Sequence, residues 1–313
     1  MKKLNLLLGT LIATAALSHA VDSYSEVVGY YKKSFPAGGS LQSVALLKPV
    51  SFQGSASSVS SSKLNCSSAS WTDNQFSPAN GLPAYYVEIT SGTLEGYVFD
   101  ILSNTRQEVT VASSLAAAGS SPNFLIRAHT KLSEATKNTT NLTDYSDQAT
   151  IYNSDGSLSN FLRDSSTGSG WLDATTFSEG DAVIYPNQGY ILTTQSNGDM
   201  TVSGTLKSTK TAVPLYAGQV NIVTLANPSG VTKDIQGISL GTNMADFQDQ
   251  VAKYSEDGNL SVATNLLWAG SAEGFYDATS FSRAEGVNIG GANPVIATVG
   301  TSTVWLVNPP MSQ

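Results

Sequence analysis

Short stretches of alternating apolar and polar residues dominate the first third of the chain and predict β-strands. Segments rich in β-branched and aromatic residues recur at intervals of about ten residues, as in sandwiches and barrels. These segments are 27–31, 41–47, 85–90, 96–102 and 108–111. Stretches rich in Gly, Pro and Ser separate them and are expected to form turns.

The second half of the chain repeats its own pattern. Residues 147–159 recur as 249–261, and residues 171–178 recur as 275–282. A self-match of this extent indicates a duplicated structural unit. A fainter similarity links 36–49 with 216–228: each reads as a glycine turn, an alternating strand and a proline that ends the strand.

Both copies of the repeat contain an Asp-Gly pair between strand-like segments, Asp155-Gly156 and Asp257-Gly258. Asp-Gly between alternating segments is a strong hairpin signal and predicts a type I′ turn, in which both central residues have positive φ. Helix-like periodicity is confined to two short stretches, 114–118 and 132–136.

These patterns predict a mostly-β protein, built from antiparallel β-sandwich or barrel-like modules with an internal duplication and a few short helices. The expected organisation is a signal peptide at 1–20, an N-terminal β module at 21–111, a first repeat module at 112–205 and a second repeat module at 206–313.

The N-terminus has the features of an export signal. Lys2 and Lys3 precede an apolar run at 4–17, and Ser18-His19-Ala20 fits a small-x-small cleavage site. The apolar run is shorter than the roughly 20 residues that a spanning helix needs, and no later stretch is apolar enough to cross a bilayer as a helix. The sequence therefore predicts export to the periplasm, the cell surface or the extracellular space.

Composition excludes several classes of function. The formal net charge of −8, without a basic run, argues against nucleic acid as a partner. Outside the expected signal peptide the chain has one histidine, His129, and one cysteine, Cys66. A zinc site with two histidines and an intramolecular disulfide are therefore ruled out.

Carboxylates offer a route to hydrolysis. A glycoside hydrolase needs two carboxyl groups about 5–10 Å apart. Glu88 and Asp100 lie on neighbouring predicted strands, where such a pair would be close. Solvent-facing carboxylates explain both residues as well, so the sequence leans against catalysis and names no catalytic residue.

Calcium is the cofactor that the acidic repeats would suit. The loops around Asp155 and Asp257 offer several oxygen atoms, although neither has the distal glutamate of a helix-loop-helix calcium site. A hairpin turn explains both residues without metal. Asp173 and Asp277, in repeated Asp-Ala-Thr sequences, are either further oxygen ligands or caps of local backbone amides.

Aromatic residues supply the candidate ligand-binding site, because flat rings stack on the C–H faces of sugars. The candidates are Trp71, Tyr185, Tyr190 and Trp268. Core packing is the competing explanation for each of them, and it is favoured for Trp171, which aligns with Phe275 in the repeat.

The chain resembles a family of exported, uncharacterised, β-rich proteins of similar length from Verrucomicrobia. The resemblance rests on Val28-Gly29-Tyr30-Tyr31-Lys32, on 37–49, on 71–111 and on 183–190. It covers most of the chain, although Ile289-Gly290-Gly291 stands where a counterpart of Tyr185-Pro186 is expected. The resemblance implies export and a β-rich fold, and it implies no chemistry.

The sequence thus favours a non-enzymatic structural or adhesive protein of the cell envelope or extracellular space, with self-association or a surface glycan as its partner. The alternatives are a carbohydrate-binding protein that uses exposed aromatic side chains and, less favoured, a carboxylate-dependent glycoside hydrolase.

Overall fold

The computed structural model describes residues 26–224, 232–237, 244–255, 257–261, 263–290 and 292–308. The expected signal peptide at 1–20 lies outside them. Within the described residues the protein is mostly β, as the sequence predicts, and the strands pair in antiparallel fashion. No helix among these residues has the length and apolar character needed to cross a membrane.

The elements follow one another in short segments. The first strands are β1 (Val28–Phe35), β2 (Gly38–Ser43), β3 (Val50–Ser55), β4 (Ser58–Ser60), β5 (Lys63–Asn65), β6 (Tyr85–Ile89), β7 (Val98–Asn104) and β8 (Glu108–Val111). The central strands are β9 (Asn123–Ala128), β10 (Thr130–Lys131), β11 (Gln148–Tyr152), β12 (Leu158–Arg163), β13 (Trp171–Asp173), β14 (Val183–Ile184), β15 (Gly189–Thr194) and β16 (Gly198–Thr205). The last strands are β17 (Thr211–Leu215), β18 (Asn221–Val223), β19 (Thr232–Asp234), β20 (Gln250–Tyr254), β21 (Ala263–Trp268), β22 (Phe275–Asp277), β23 (Asn288–Gly290), β24 (Val295–Thr298) and β25 (Thr303–Val307).

Helical structure is brief. The α-helix α1 spans Leu132–Ala135, and single turns of 3-10 helix occur at Ala116–Ala118 and Ile235–Gly237. Both stretches expected to be helical therefore contain a helical turn.

Strands β3 to β9 form one seven-stranded sheet in the order β3-β9-β6-β7-β8-β5-β4. We call residues 50–128 the seven-stranded module. Alternation directs Val87 and Ile89 of β6 and Phe124 and Ile126 of β9 into the module's own apolar core. The opposite face of the same strands carries Tyr86, Glu88 and Arg127, which are buried as well.

Strands β1, β2 and β10 to β16 form the first repeat module, residues 26–48 and 130–205. Its main sheet has the order β13-β12-β11-β15-β2, and the pairs β1-β16 and β10-β14 accompany it. Strands β17 to β25 form the second repeat module, residues 211–308. Its main sheet has the order β22-β21-β20-β24-β18, with the pairs β17-β25 and β19-β23.

The two repeat modules share strand order and register, so each strand of one has a counterpart in the other. Trp171 begins β13 opposite Arg163, and Phe275 begins β22 opposite Trp268. Both Trp171 and Phe275 are fully buried, which is the core packing that the sequence favours for this position. Each repeat module has its own apolar core around these residues.

Strand pairing draws the module boundaries differently from the sequence expectation. Strands β1 and β2, expected in the N-terminal module at 21–111, pair with β16 and β15 of the first repeat module. Strand β9, expected in the repeat at 112–205, lies inside the seven-stranded sheet. The seven-stranded module thus interrupts the first repeat module between β2 and β10. Local pattern could not show this, because the pairing joins residues far apart in the chain.

The Asp-Gly turns differ from the type I′ expectation. Tyr152 pairs with Leu158 as the last pair of its hairpin, which leaves a five-residue loop. Gly156 has φ +84°, whereas Asp155 is not among the residues with positive φ. The Asp155 carboxylate accepts the Ser157 amide at 2.9 Å, and this bond holds the longer loop.

Candidate functional site

The two repeat modules touch through a reciprocal contact near Gly189. Ser43 Oγ donates to the Ala292 carbonyl at 3.0 Å. The Thr224 amide, at the position equivalent to Ser43, donates to the carbonyl of Asn187 at 2.9 Å, and Asn187 is the counterpart of Ala292. Contacts exchanged in this way are what a two-fold relation between the modules produces.

A second contact that the same relation predicts is formed on one side only. The Leu41 amide on the edge of β2 donates to the Gly258 carbonyl at 2.8 Å, and the Leu260 amide donates to Gly39 at 3.1 Å. The counterparts of Leu41 and Gly258 are Ile222 and Gly156, and no hydrogen bond joins them. The Gln219 side chain lies beside Gly156 instead. One edge is therefore sealed and the other is open.

A buried lysine explains the difference. Lys33 Nζ donates to the Leu41 carbonyl at 2.8 Å and faces the Asp257 carboxylate, so it ties the turn of the second module to β2. Val213 lies at the equivalent position of β17, at the same number of residues before a glycine with positive φ. Val213 has no ammonium group that could attract the Asp155 turn to β18 as Lys33 attracts the Asp257 turn to β2.

Lys33 should make stability depend on pH. Burial lowers the pKa of Lys33 from 10.5 to about 8, although Asp257 opposes the shift. Between these values the unfolded chain binds more protons, so the free energy of unfolding should rise with pH. We expect a rise of about 1–3 kcal/mol from pH 8 to 10 relative to Lys33→Met. Urea denaturation at both pH values measures it, and equal slopes for the two proteins would contradict it.

The open side is a cavity of about 530 Å³ where all three modules meet. We call it the junction cleft. Aromatic and amide side chains are prominent in its lining: Tyr97, Phe99, Tyr152, Tyr185, Tyr216, Asn153, Gln188, Gln219 and Asn221. Among the lining residues, all of which lie in the described part of the chain, Asp100 is the sole charged side chain. A cleft of this size that combines flat rings, amides and one carboxylate suits an uncharged, hydroxyl-rich ligand.

A hydrogen-bonded group fixes one wall of the junction cleft. Tyr185 Oη donates to Asp100 Oδ2 at 2.7 Å, and His129 Nε2 lies 3.0 Å from Asp100 Oδ1. The ring of Tyr185 meets the His129 ring edge-on at 5.1 Å. Burial, and then the Asp100 charge, raise the pKa of Tyr185, so its hydroxyl stays protonated. Tyr185 is 38% exposed, which leaves its ring accessible from the cleft.

The opposite wall depends on Asn221. Its Oδ1 accepts the Tyr216 amide at 2.8 Å, and its Nδ2 donates to the carbonyls of Tyr216 and Gln219. These bonds close the turn between β17 and β18. Gln188 completes the floor: its Nε2 donates to the Tyr152 carbonyl at 3.2 Å, and its Oε1 accepts the Tyr185 amide. Three tyrosines are thus positioned by side-chain amides.

The carboxylate pair considered for hydrolysis does not meet in the junction cleft. Glu88 and Asp100 do lie on the paired strands β6 and β7. However, Glu88 is fully buried, and its Oε1 accepts Lys207 Nζ of the linker between the repeat modules at 2.5 Å. Lys207 thus neutralises the Glu88 carboxylate, and the pair connects the seven-stranded module to the linker. Asp100 has no second carboxylate beside it in the cleft lining.

The four ligand-binding candidates are scattered. Tyr185 lines the junction cleft, and Trp268 is half-buried against Phe275. Trp71 is 8% exposed and packs edge-on against Phe52 at 4.9 Å in the core of the seven-stranded module. Tyr190 is fully buried on β15. Neither buried ring can stack on a ligand, which corrects the expectation for Trp71 and Tyr190.

The metal candidates are engaged in their own turns. Asp155 Oδ1 accepts the hydroxyl and the amide of Ser157, and Asp257 Oδ1 accepts the hydroxyl of Ser255 and the amide of Asn259. These bonds hold the pKa of both carboxylates below the usual range. Asp173 likewise caps two backbone amides, as does its counterpart in the second module. The described residues contain no group of three or more His, Cys, Asp or Glu side chains that could hold a metal ion.

No protein-family model, curated protein or solved structure matches this chain. Its functional interpretation therefore depends on the chemistry of the cleft.

Sequence reasoning missed most of the cleft's aromatic side chains, namely Tyr97, Phe99, Tyr152 and Tyr216. One signal was available. Tyr152 stands directly before the repeated turn, and Tyr216 directly after β17, at points where strands end and rings are less often enclosed. The pattern gave no indication that strand ends from three modules converge.

Proposed function

We propose that this protein is an exported, non-enzymatic adhesive protein that holds an uncharged glycan in its junction cleft. The observation that carries the proposal is the lining of that cleft: four tyrosines, one phenylalanine and four side-chain amides around a single carboxylate. Export is supported by the charged and apolar segments of the first twenty residues.

The lining fits the two kinds of contact that a sugar offers. The C–H faces of a pyranose ring pack on flat aromatic rings, and its hydroxyls exchange hydrogen bonds with amides and carboxylates. Phosphate, sulfate and uronate groups would need cationic partners, and no lysine or arginine lies among the lining residues. The net charge of −8 acts in the same direction. An uncharged glycan is the ligand class that these groups favour.

We expect Tyr152→Ala or Tyr185→Ala to weaken glycan binding roughly tenfold, since each removes one stacking ring. Isothermal titration with soluble cello-, chito- and malto-oligosaccharides, with and without calcium, measures the effect. Tyr30→Ala is the matched control, because Tyr30 is 77% exposed on β1 and is not part of the cleft lining. Wild-type protein that binds none of these sugars, or release of reducing ends during titration, would contradict the proposal.

A further inference from the structure

Four aromatic side chains outside the junction cleft stand exposed on left-handed backbone. Tyr145 and Phe177 belong to the first repeat module, and Phe247 and Phe281 are their counterparts in the second. Their φ values are 58°, 54°, 56° and 52° respectively. Their exposed fractions are 63%, 67%, 62% and 68%. Each pair thus agrees closely in both backbone conformation and exposure.

The left-handed region disfavours residues with a Cβ, so a bulky ring there is held by its surroundings. The Tyr145 amide donates to Arg163 O at 2.8 Å, and the Phe247 amide donates to Trp268 O at 2.7 Å. A fully buried aspartate lies two residues after Tyr145 and another two residues after Phe247, and each anchors the loop that contains the ring. Asp147 accepts the Thr143 and Gln195 amides, and the second module's Asp249 accepts the Ala245 and Gly300 amides.

The Phe177 and Phe281 turns are held by their own aspartates. Asp173 Oδ1 accepts two backbone amides of the turn, and the Phe177 amide donates to Asp173 O at 2.8 Å. Asp277 does the same for Phe281, with the amide at 2.9 Å. Glycine or asparagine would adopt this conformation without strain. The structure nevertheless places phenylalanine in both turns.

The rings recur in both modules, although some strand positions near their turns differ. Arg163 corresponds to Trp268, and Leu172 corresponds to Tyr276, so even paired strand positions have changed between the modules. Packing explains why buried positions stay apolar, but it does not explain an exposed ring. Tyr145 Oη donates to Asp164 Oδ2 at 2.8 Å, which accounts for that hydroxyl but not for the phenylalanine at the equivalent position of the second module. Backbone preference would select against it. What remains is a role for the ring's exposed face.

We propose that Tyr145, Phe177, Phe247 and Phe281 bind a repeating, uncharged polysaccharide at the surface, separately from the junction cleft. Exposed hydroxyl side chains surround the phenylalanines: Thr175, Thr176 and Ser178 in the first module, and Thr279, Ser280 and Ser282 in the second. A protein partner needs a broad contact of about 800 Å² on each side, with a contiguous apolar centre. Rings set singly among hydroxyls fit a sugar polymer, and two equivalent pairs fit its repetition. The inference takes its ligand class from the proposed function and uses a different surface.

The test is retention on insoluble cellulose, chitin and starch, measured by sedimentation. Wild-type protein should bind at least one of them. The double variant Phe177→Gly/Phe281→Gly should bind it roughly tenfold more weakly or worse, because both modules lose a contact and the avidity of two linked sites is lost. Glycine suits the left-handed conformation, so the variant's Tm should not fall. Leu306→Ser, at another exposed apolar position, is the control and should bind like wild type.

Several results would overturn the proposal. They are wild-type protein that binds none of the three polymers, a double variant that binds like wild type, or a double variant that instead loses self-association in light scattering. Failure of the cleft proposal is distinguishable. If the cleft proposal is wrong, the protein shows no Tyr185-dependent binding of soluble oligosaccharides. If it is right, that binding is present, and the double variant Phe177→Gly/Phe281→Gly leaves it unchanged.

Discussion

Replacement of Glu88 by glutamine is expected to lower the free energy of unfolding by about 3–5 kcal/mol. Glu88 is fully buried on the face of the seven-stranded sheet that lies opposite the module's own apolar core. Its Oε1 accepts Lys207 Nζ at 2.5 Å and the hydroxyl of Thr209, and its Oε2 lies 3.9 Å from Arg127 Nε. The variant would leave two buried cations whose remaining carboxylates are partly exposed: Glu26, 2.6 Å from Arg127, and Glu95, which interacts with Lys207 electrostatically.

The comparison variant is Glu134→Gln. Glu134 forms an equally direct ion pair with Lys48 at 2.8 Å, but both side chains are more than a third exposed. Water screens such a pair, so its loss should cost less than about 1 kcal/mol. Urea denaturation of both variants measures the difference. Equal losses would show that the buried cluster does not join the modules as its geometry indicates.

Gly258→Ala is expected to cost about 3 kcal/mol and to loosen the sealed side of the joint between the repeat modules. A Cβ on Gly258 would lie 2.5 Å from the Leu41 carbonyl oxygen and 3.0 Å from its amide nitrogen. Both atoms are backbone, so they cannot swing away. The substitution also puts a Cβ on a residue with φ +78°.

Gly156→Ala is the matched control for that substitution. Gly156 has φ +84° in the equivalent turn, so it carries the same conformational cost of about 1 kcal/mol. Its Cβ would meet only the flexible Gln219 side chain, at 3.3 Å. The difference between the two variants in thermal or urea unfolding isolates the contact with β2. Equal effects would contradict the view that only one of the two edges is sealed.

Much of the local structure follows from the sequence. The alternating segments become strands, the two stretches with helical periodicity contain helical turns, and Asp173 and Asp277 cap their turns as an aspartate before a tight turn should. The faint similarity between 36–49 and 216–228 corresponds to β2 and β18, which occupy equivalent edges of the two main sheets. These features depend on a few neighbouring residues, so a linear pattern contains them.

The candidate site depends on contacts that no local pattern contains. Alternation predicts that a ring such as Tyr190 in β15 points away from its neighbours in the strand, but not which surface covers it; nor does the pattern place Tyr185, which directly follows β14. Tyr190 meets the core of its module and is fully buried, whereas Tyr185 meets the junction cleft. Trp71, in a polar stretch, is enclosed by Phe52 of the distant strand β3 as well as by the nearby Phe76.

The β-rich character, the paired turns and the repeated strands can be read from the sequence alone, because turn chemistry and side-chain alternation act over a few residues. The interruption of the first repeat module by the seven-stranded module became visible only in the three-dimensional fold. The same holds for the edge that Lys33 seals and for its open counterpart at Val213. An open cleft arises here from a difference in long-range packing between two sets of nearly equivalent strands. Its position is set by which distant side chains meet, not by the residues that flank it.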